Sequence, residues 1–308
     1  MAPAHAGFAQ RPPLEVVIQE YDVPRGAPPH DVAPAADGSV WYTAQHQAAL
    51  GRLDPETGEV THVPLGSGSR PHGVIVGPEG DAWVTDSGLN AIVEVDARDH
   101  AVSVFPLPAG SANANLNTAT FSGRVLWFTG QNGVYGRLAP GAGVEVFAAP
   151  RRRGPYGIAT TPAGGVYFAS LAGSYLGAID VLTGEATVLE PPASRQGARR
   201  VWSDSRGRLW VTGWNVGLLI MYDPASQSWR EWPMPGSSRP YAVYVDDEDT
   251  VWVSDFGTNA IVRFDPATEE FESFTLPTAG ARVRQLLGRP GEVWGAESAT
   301  DKLVVLRH

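Results

Sequence analysis

The sequence contains no cysteine. Disulfides and thiolate metal sites are therefore excluded, and the redox compartment leaves no mark on the composition. It has no apolar run of about 18 residues, so no membrane-spanning helix is expected. Apolar patterns at helical spacing never exceed a turn or two, which argues against an α-rich fold. A net basic charge is also missing. The formal charge is −10, which speaks against general binding to nucleic acid or to an anionic membrane. Neither HExxH nor G-x-S-x-G occurs, so the zinc-protease and nucleophile-elbow readings fall away. Residues 1–13, MAPAHAGFAQRPP, lack the basic start and apolar centre of a signal peptide. They read as a disordered tail, and the compartment stays open: cytoplasmic, or exported with a leader removed.

Turn residues, by contrast, are abundant, with 35 glycines and 26 prolines. They punctuate short β-type runs, as in PHGVIVGPEGDAWVTDSGLNAIVEVD from Pro71 to Asp96. An aromatic anchor in the second run recurs as Trp41, Trp83, Trp127, Tyr167, Trp210, Trp252 and Trp294, spaced 42, 44, 40, 43, 42 and 42 residues apart. Four strands per copy at that period mark a β-propeller, one copy to a blade. The fold expected is all-β, with seven blades of four antiparallel strands filling residues 14–308 as one domain. The last copy holds only three strands. EVVIQEYDVP, from Glu15 to Pro24, ends like the fourth strands REWPMP and ESFTLP. It is therefore expected to complete blade 7 and close the ring, removing two open edges; a monomer is expected.

In such a ring the start of each first strand and the end of each second strand share a rim of the central channel. The leading positions there are His30, His72, Asn117, Tyr156, Arg199, Tyr241 and Arg284. Three residues after each anchor come Ala44, Asp86, Gly130, Ser170, Gly213, Asp255 and Glu297, with Gln45, Gln131 and Trp214 one residue later. Apolar positions repeat from copy to copy, whereas these do not. That variation suits a pocket for one asymmetric small molecule. The seven segments joining the copies hold 11 of the 22 arginines and only two acids, Asp31 and Glu190. Arginine binds carboxylate, sulfate and phosphate oxygens bidentately, so an anionic ligand is expected. Arg199 and Arg284 are the candidates to hold it, with Tyr156, Tyr241, Asn117, Asp255, Trp214, Gln45 and Gln131 around it. The run Arg151-Arg152-Arg153 reads as a solvated loop.

For catalysis, His72 and His30 occupy the same place in neighbouring blades, with Asp86 beside the second and Glu297 two blades from it. Imidazole serves as a general base near neutral pH, and a carboxylate can orient it. His72, His30, Asp86 and Glu297 are thus the catalytic candidates. A turn histidine bonded to the next blade is the plainer reading of both imidazoles, and loop capping that of Asp86 and Asp255.

The repeated P-[HY]-G…W-[FV]-T…N-x-I-x-R-[IVF]-D…F-x-[LM]-P pattern, clearest in copies 2 and 6, resembles that of the streptogramin B lyase (virginiamycin B lyase) family. The resemblance implies a seven-bladed propeller and an elimination, with Mg²⁺, that opens a cyclic depsipeptide at its ester. The family's catalytic pattern lies on its last two blades. Here its penultimate histidine corresponds to Tyr241, its Glu-x-His to Arg282 and Arg284, and its last glutamate to Glu297. Leading histidines recur instead on blades 1 and 2, and Arg70 stands where a glutamate would precede the second. A lyase using His72 or His30 and a non-catalytic propeller binding an anionic or carbohydrate-like ligand are the two functions this sequence supports.

Overall fold

The computed structural model describes residues 15–111, 113–151 and 153–308. Residues 1–13 and Arg152, read above as a tail and as part of a basic run, lie outside the described residues. Seven four-stranded antiparallel sheets follow one another around a central channel. The innermost strands are Pro29–Pro34, Pro71–Val76, Leu116–Ser122, Pro155–Thr160, Ala198–Ser203, Pro240–Val245 and Val283–Arg289. Each packs against the innermost strands of both neighbours, and that of blade 7 against that of blade 1. The only helix among the described residues is one 3₁₀ turn, Gln45–Gln47, and no described helix could cross a membrane.

The core lies between blades, where the aromatic anchors meet the neighbouring sheet. Trp41, Trp127, Trp210, Trp252 and Trp294 are fully buried. Trp83 and Tyr167 are only partly so. Trp83 stacks on Phe105 and meets Phe121 edge-on, both at 5.8 Å between ring centroids.

Every innermost strand begins with a break in register. In blade 1, Pro29 pairs with Ala44 but Val32 with Tyr42, so His30 and Asp31 together oppose Thr43. The same shift occurs in all seven blades. A bulge of this kind leaves an N–H without its ladder partner. The hydroxyl two residues after the anchor takes it. Thr43 Oγ1 accepts from Asp31 N at 3.0 Å and donates to His72 O of the next blade at 2.9 Å. Thr85 links Gly73 N to Asn117 O, Thr129 links Thr118 N to Tyr156 O, and Thr212 links Arg200 N to Tyr241 O. Ser254 accepts from Ala242 N. Blades 4 and 7 carry Ala169 and Ala296 there. At the seam from blade 7 to blade 1, Gln285 Oε1 instead accepts from Val32 N at 3.1 Å. Gly73 belongs to this joint, because a Cβ there would sit 2.4 Å from Asn117 O.

The N-terminal strand closes the ring as expected. Val17–Asp22 pairs antiparallel with Lys302–Arg307 over six residues, as the fourth strand of blade 7. Tyr21 stacks on Trp294 at 5.5 Å, and Val23 is buried in the same cluster. Glu20 binds Thr278 of the preceding interblade loop through N–H and hydroxyl, at 2.8 and 2.6 Å. Burying Tyr21 and Val23 contributes about 3 kcal/mol or more. Deleting residues 1–24 is therefore predicted to lower the melting temperature by at least about 5 °C more than deleting residues 1–13. Calorimetry on the two truncations checks this, and equal melting temperatures would count against closure by this strand.

Candidate functional site

The bulge sets the geometry of the rim. Two consecutive residues of each innermost strand reach it, the leading residue and the one after. The leading ring holds the seven side chains expected, each directly after a residue paired with the end of the second strand. The following ring is Asp31, Gly73, Thr118, Gly157, Arg200, Ala242 and Gln285.

Asp31 and Arg200 of this second ring dominate the channel. Both are buried, and Arg200 Nη2 of blade 5 donates to Asp31 Oδ1 and Oδ2 of blade 1 at 2.9 and 3.2 Å. Its Nη1 reaches Thr118 Oγ1 of blade 3 at 2.5 Å. One guanidinium thus ties three blades across the channel. Burial raises the Asp31 pKa and the Arg200 guanidinium opposes that.

His30 lies against this pair, with its Nδ1 2.7 Å from Asp31 Oδ1. The carboxylate already accepts from Arg200, so Nδ1 carries the proton and Nε2 the lone pair. No described residue bonds that Nε2. Burial, then the nearby Arg200, Arg284 and Arg199, holds the His30 pKa well below its ordinary value. The imidazole is neutral at physiological pH. His72 packs against it, ring centroids 3.9 Å apart. Both His72 nitrogens are engaged by Asn117: Nδ1 with the backbone carbonyl at 3.1 Å, Nε2 with the side-chain amide at 3.3 Å. Its pKa too is well below the usual value, through burial first and then His30.

Arg199, Tyr156, Tyr241 and Trp214 form the other side of the rim. The Arg199 guanidinium lies 3.6 Å from the Tyr241 ring centroid and 4.6 Å from those of Tyr156 and Trp214. The Tyr156 and Tyr241 hydroxyls are 2.6 Å apart. Arg199 Nη2 donates to Tyr156 Oη at 3.0 Å, and Arg284 Nη1 approaches Tyr241 Oη at 3.4 Å. Arg284 is braced by Ser298 Oγ at 2.7 Å. Neither Arg199 nor Arg284 makes an ion pair among the described residues. Arg151, by contrast, pairs with Glu190 on the surface.

Three expectations about carboxylates need correction. Asp86 makes no hydrogen bond to His72, whose nitrogens go to Asn117. One of its oxygens accepts from Arg70, Gly88 and Leu89 N–H and the other from Ser69, so it caps the loop. Asp255 does the same for Arg239, Gly257 and Thr258. Glu297 is fully buried, but in the closing seam beside Glu20, with Oε2 on Thr300 Oγ1 at 2.7 Å. Gln45 opens the 3₁₀ turn. Gln131 bonds through its backbone to Asn115 and Gly154. Sequence reasoning missed Asp31 and Arg200, although one lone acid in an arginine-rich segment and the Arg199-Arg200 doublet were visible. A cavity of about 600 Å³ opens at the opposite mouth, lined by Trp202, Asp204, Tyr244 and Asp246 among others. It contains none of the candidates.

The profile of the virginiamycin B lyase family matches residues 3–224. The chain belongs to the virginiamycin B lyase family. Its fold is that of solved structures in the family. A streptogramin B lyase superposes with a TM-score of 0.86 at 20% identity, covering 95% of this chain and 97% of the other. Virginiamycin B lyase from Staphylococcus aureus gives 0.88 at 19%, covering 96% and 100%. A propeller of other description, YCF48 bound to D1 peptide, gives 0.73 at 15%, covering 94% and 96%. No curated protein sequence matches significantly.

Magnesium, which family resemblance implies, is a hard cation held by oxygen ligands, usually one or two carboxylates together with waters. In this member of the virginiamycin B lyase family Asp86 and Asp255 are occupied by N–H and hydroxyl donors, whereas Glu297, in the closing seam, keeps Oε1 without a partner among the described residues. Among the described residues the donor atoms that do converge, within 4.8 Å, belong to His30, Asp31 and His72, and Asp31 there is paired with Arg200. This set does not fit Mg²⁺.

Burial pushes the Glu297 pKa up to about 7, with Glu20 adding to the rise and Thr300 opposing it. The folded pKa is raised, so this carboxyl's contribution is fully present below its unfolded pKa. It is lost as pH rises through about 7. The loss is on the order of 3 kcal/mol. Glu297→Gln is predicted to flatten stability between about pH 4.5 and 7.5. Denaturant melts across that range check it; an unchanged slope in the variant would reject the assignment.

Proposed function

We propose that this propeller is a carbon–oxygen lyase acting at the arginine rim. Its substrate carries an acidic proton next to a carbonyl or carboxylate, and an ester or ether oxygen one carbon further on. One observation carries this reading: His30 is held by Asp31 at 2.7 Å with Nε2 unbonded by any described residue, near Arg199 and Arg284, which lack acid partners among the described residues. A neutral, oriented imidazole removes a proton, and Arg284 and Arg199 stabilise negative charge on the substrate's carboxyl oxygens. His72, with both nitrogens occupied, positions His30 instead of serving as the base.

The competing reading is a propeller that binds an anionic ligand without catalysis. The low exposure of His30 and His72, 6% and 7%, favours it. The S. aureus enzyme was solved in an inactive form with quinupristin, which supplies a first test compound. β-Acetoxybutanoate, which eliminates acetate to leave an unsaturated acid, supplies a second. Elimination opens quinupristin with no change of mass, whereas hydrolysis adds water. His30→Ala is predicted to lower the rate by roughly 10²–10⁴-fold at an unchanged melting temperature. Arg284→Ala and Arg199→Ala should each raise KM about tenfold or more, and Arg151→Ala should leave it unchanged. Full turnover by the folded His30→Ala variant would reject the lyase mechanism and leave binding.

A further inference from the structure

The lyase reading names a proton acceptor but no proton donor, and the rim holds a second pair of titratable groups. Tyr156 and Tyr241 come from blades 4 and 6, yet their hydroxyls meet at 2.6 Å. The Tyr241 ring is fixed on both sides. Phe256 stacks on it at 4.6 Å and 15°, and Arg199 lies over it at 3.6 Å. Its hydroxyl faces Arg284 at 3.4 Å as well as Tyr156. Tyr156 lies between Arg199 and Arg200, whose guanidinium groups are 4.6 and 5.3 Å from its ring centroid. The pair is therefore unequal. Tyr156 Oη accepts from Arg199 and shares a hydrogen bond with Tyr241, whose Oη also meets the charge of Arg284.

We propose that Tyr241 is the proton donor of the elimination, with Tyr156 as the hydrogen-bond donor that holds its phenolate. This assignment rests on the lyase reading given above. His30 Nε2 takes the proton from the carbon next to the carboxylate, and the released electron pair forms the carbon–carbon double bond. The carbon–oxygen bond breaks, and the departing oxygen takes the Tyr241 proton. Phenolate at Tyr241 keeps the Tyr156 bond and the charges of Arg199, Arg200 and Arg284. The proton on His30 returns to Tyr241 through solvent, so the cycle closes with no net change. The electrostatics agree. Burial opposes ionisation of Tyr241, but the three arginines outweigh it and lower its pKa, whereas that of Tyr156 is raised. Paired groups with pKa values pushed apart are a mark of acid–base function.

The test uses the full chain, two substitutions and two probes. In a spectrophotometric titration the native protein should show one tyrosine ionising ahead of the rest. Tyr241→Phe should abolish that step and Tyr156→Phe should move it to higher pH. Turnover is then compared on β-acetoxybutanoate, which has a good leaving group, and β-methoxybutanoate, which has a poor one. Acid assistance matters most for the poor one, so Tyr241→Phe should lose about 10²-fold or more on the methoxy compound. On the acetoxy compound it should lose less than about tenfold. Equal losses on both probes, or a titration unchanged by Tyr241→Phe, would overturn the proposal while leaving His30 as the base. A native protein inert towards both probes would instead reject the lyase reading, and the donor step with it.

Discussion

A bridging hydroxyl at four of the seven joints organises this ring. The bulge at the head of each innermost strand strands an N–H, and a buried N–H without a partner costs about 1–3 kcal/mol. Thr43, Thr85, Thr129 and Thr212 satisfy it and donate onward to the carbonyl of the next blade's leading residue. Each hydroxyl thus fixes the bulge of its own blade and the height of its neighbour's rim. Because the bulge turns two consecutive residues towards the rim, two rings of side chains crowd one mouth of the channel. All the chemistry proposed here depends on that doubling.

The second ring supplies the buried charge, and the first supplies groups tuned by it. Desolvating Asp31 and Arg200 is expensive, so their pairing is not in itself a source of stability. Its consequence is positional. The pair anchors blades 1, 3 and 5 to one another and gives His30 a fixed acceptor. It also leaves Arg199 and Arg284 without an acid partner among the described residues. Positive charge therefore accumulates on one rim of a chain whose formal charge is −10. That excess adds to burial in keeping His30 neutral, shifts Tyr241 towards ionisation and provides a place for an anionic group.

The seven blades and the closing strand were legible because both depend on a repeated register, and spacing reveals register. The leading ring was legible for the same reason. The roles at the rim were not. Strict alternation allows only one of two neighbouring side chains to face a given side, so a bulge hides Asp31 behind His30 and Arg200 behind Arg199. The threonines two residues after the anchors were visible as W-x-T, but their function is a contact between blades and leaves no local signature. Asp86 and Asp255 misled because the third position after an anchor lies where loop amides converge. Glu297 misled because its neighbour, Glu20, lies at the other end of the chain.

The central claim is that the rim presents a neutral His30 whose proton sits on Nδ1 against Asp31. Nitrogen chemical shifts of the imidazoles, assigned by comparison with a His30→Gln variant, test it most directly. Between about pH 5.5 and 8, where an ordinary histidine changes charge, His30 should remain a neutral Nδ1–H tautomer. Protonation of His30 in that range, or a proton resident on Nε2, would contradict the account.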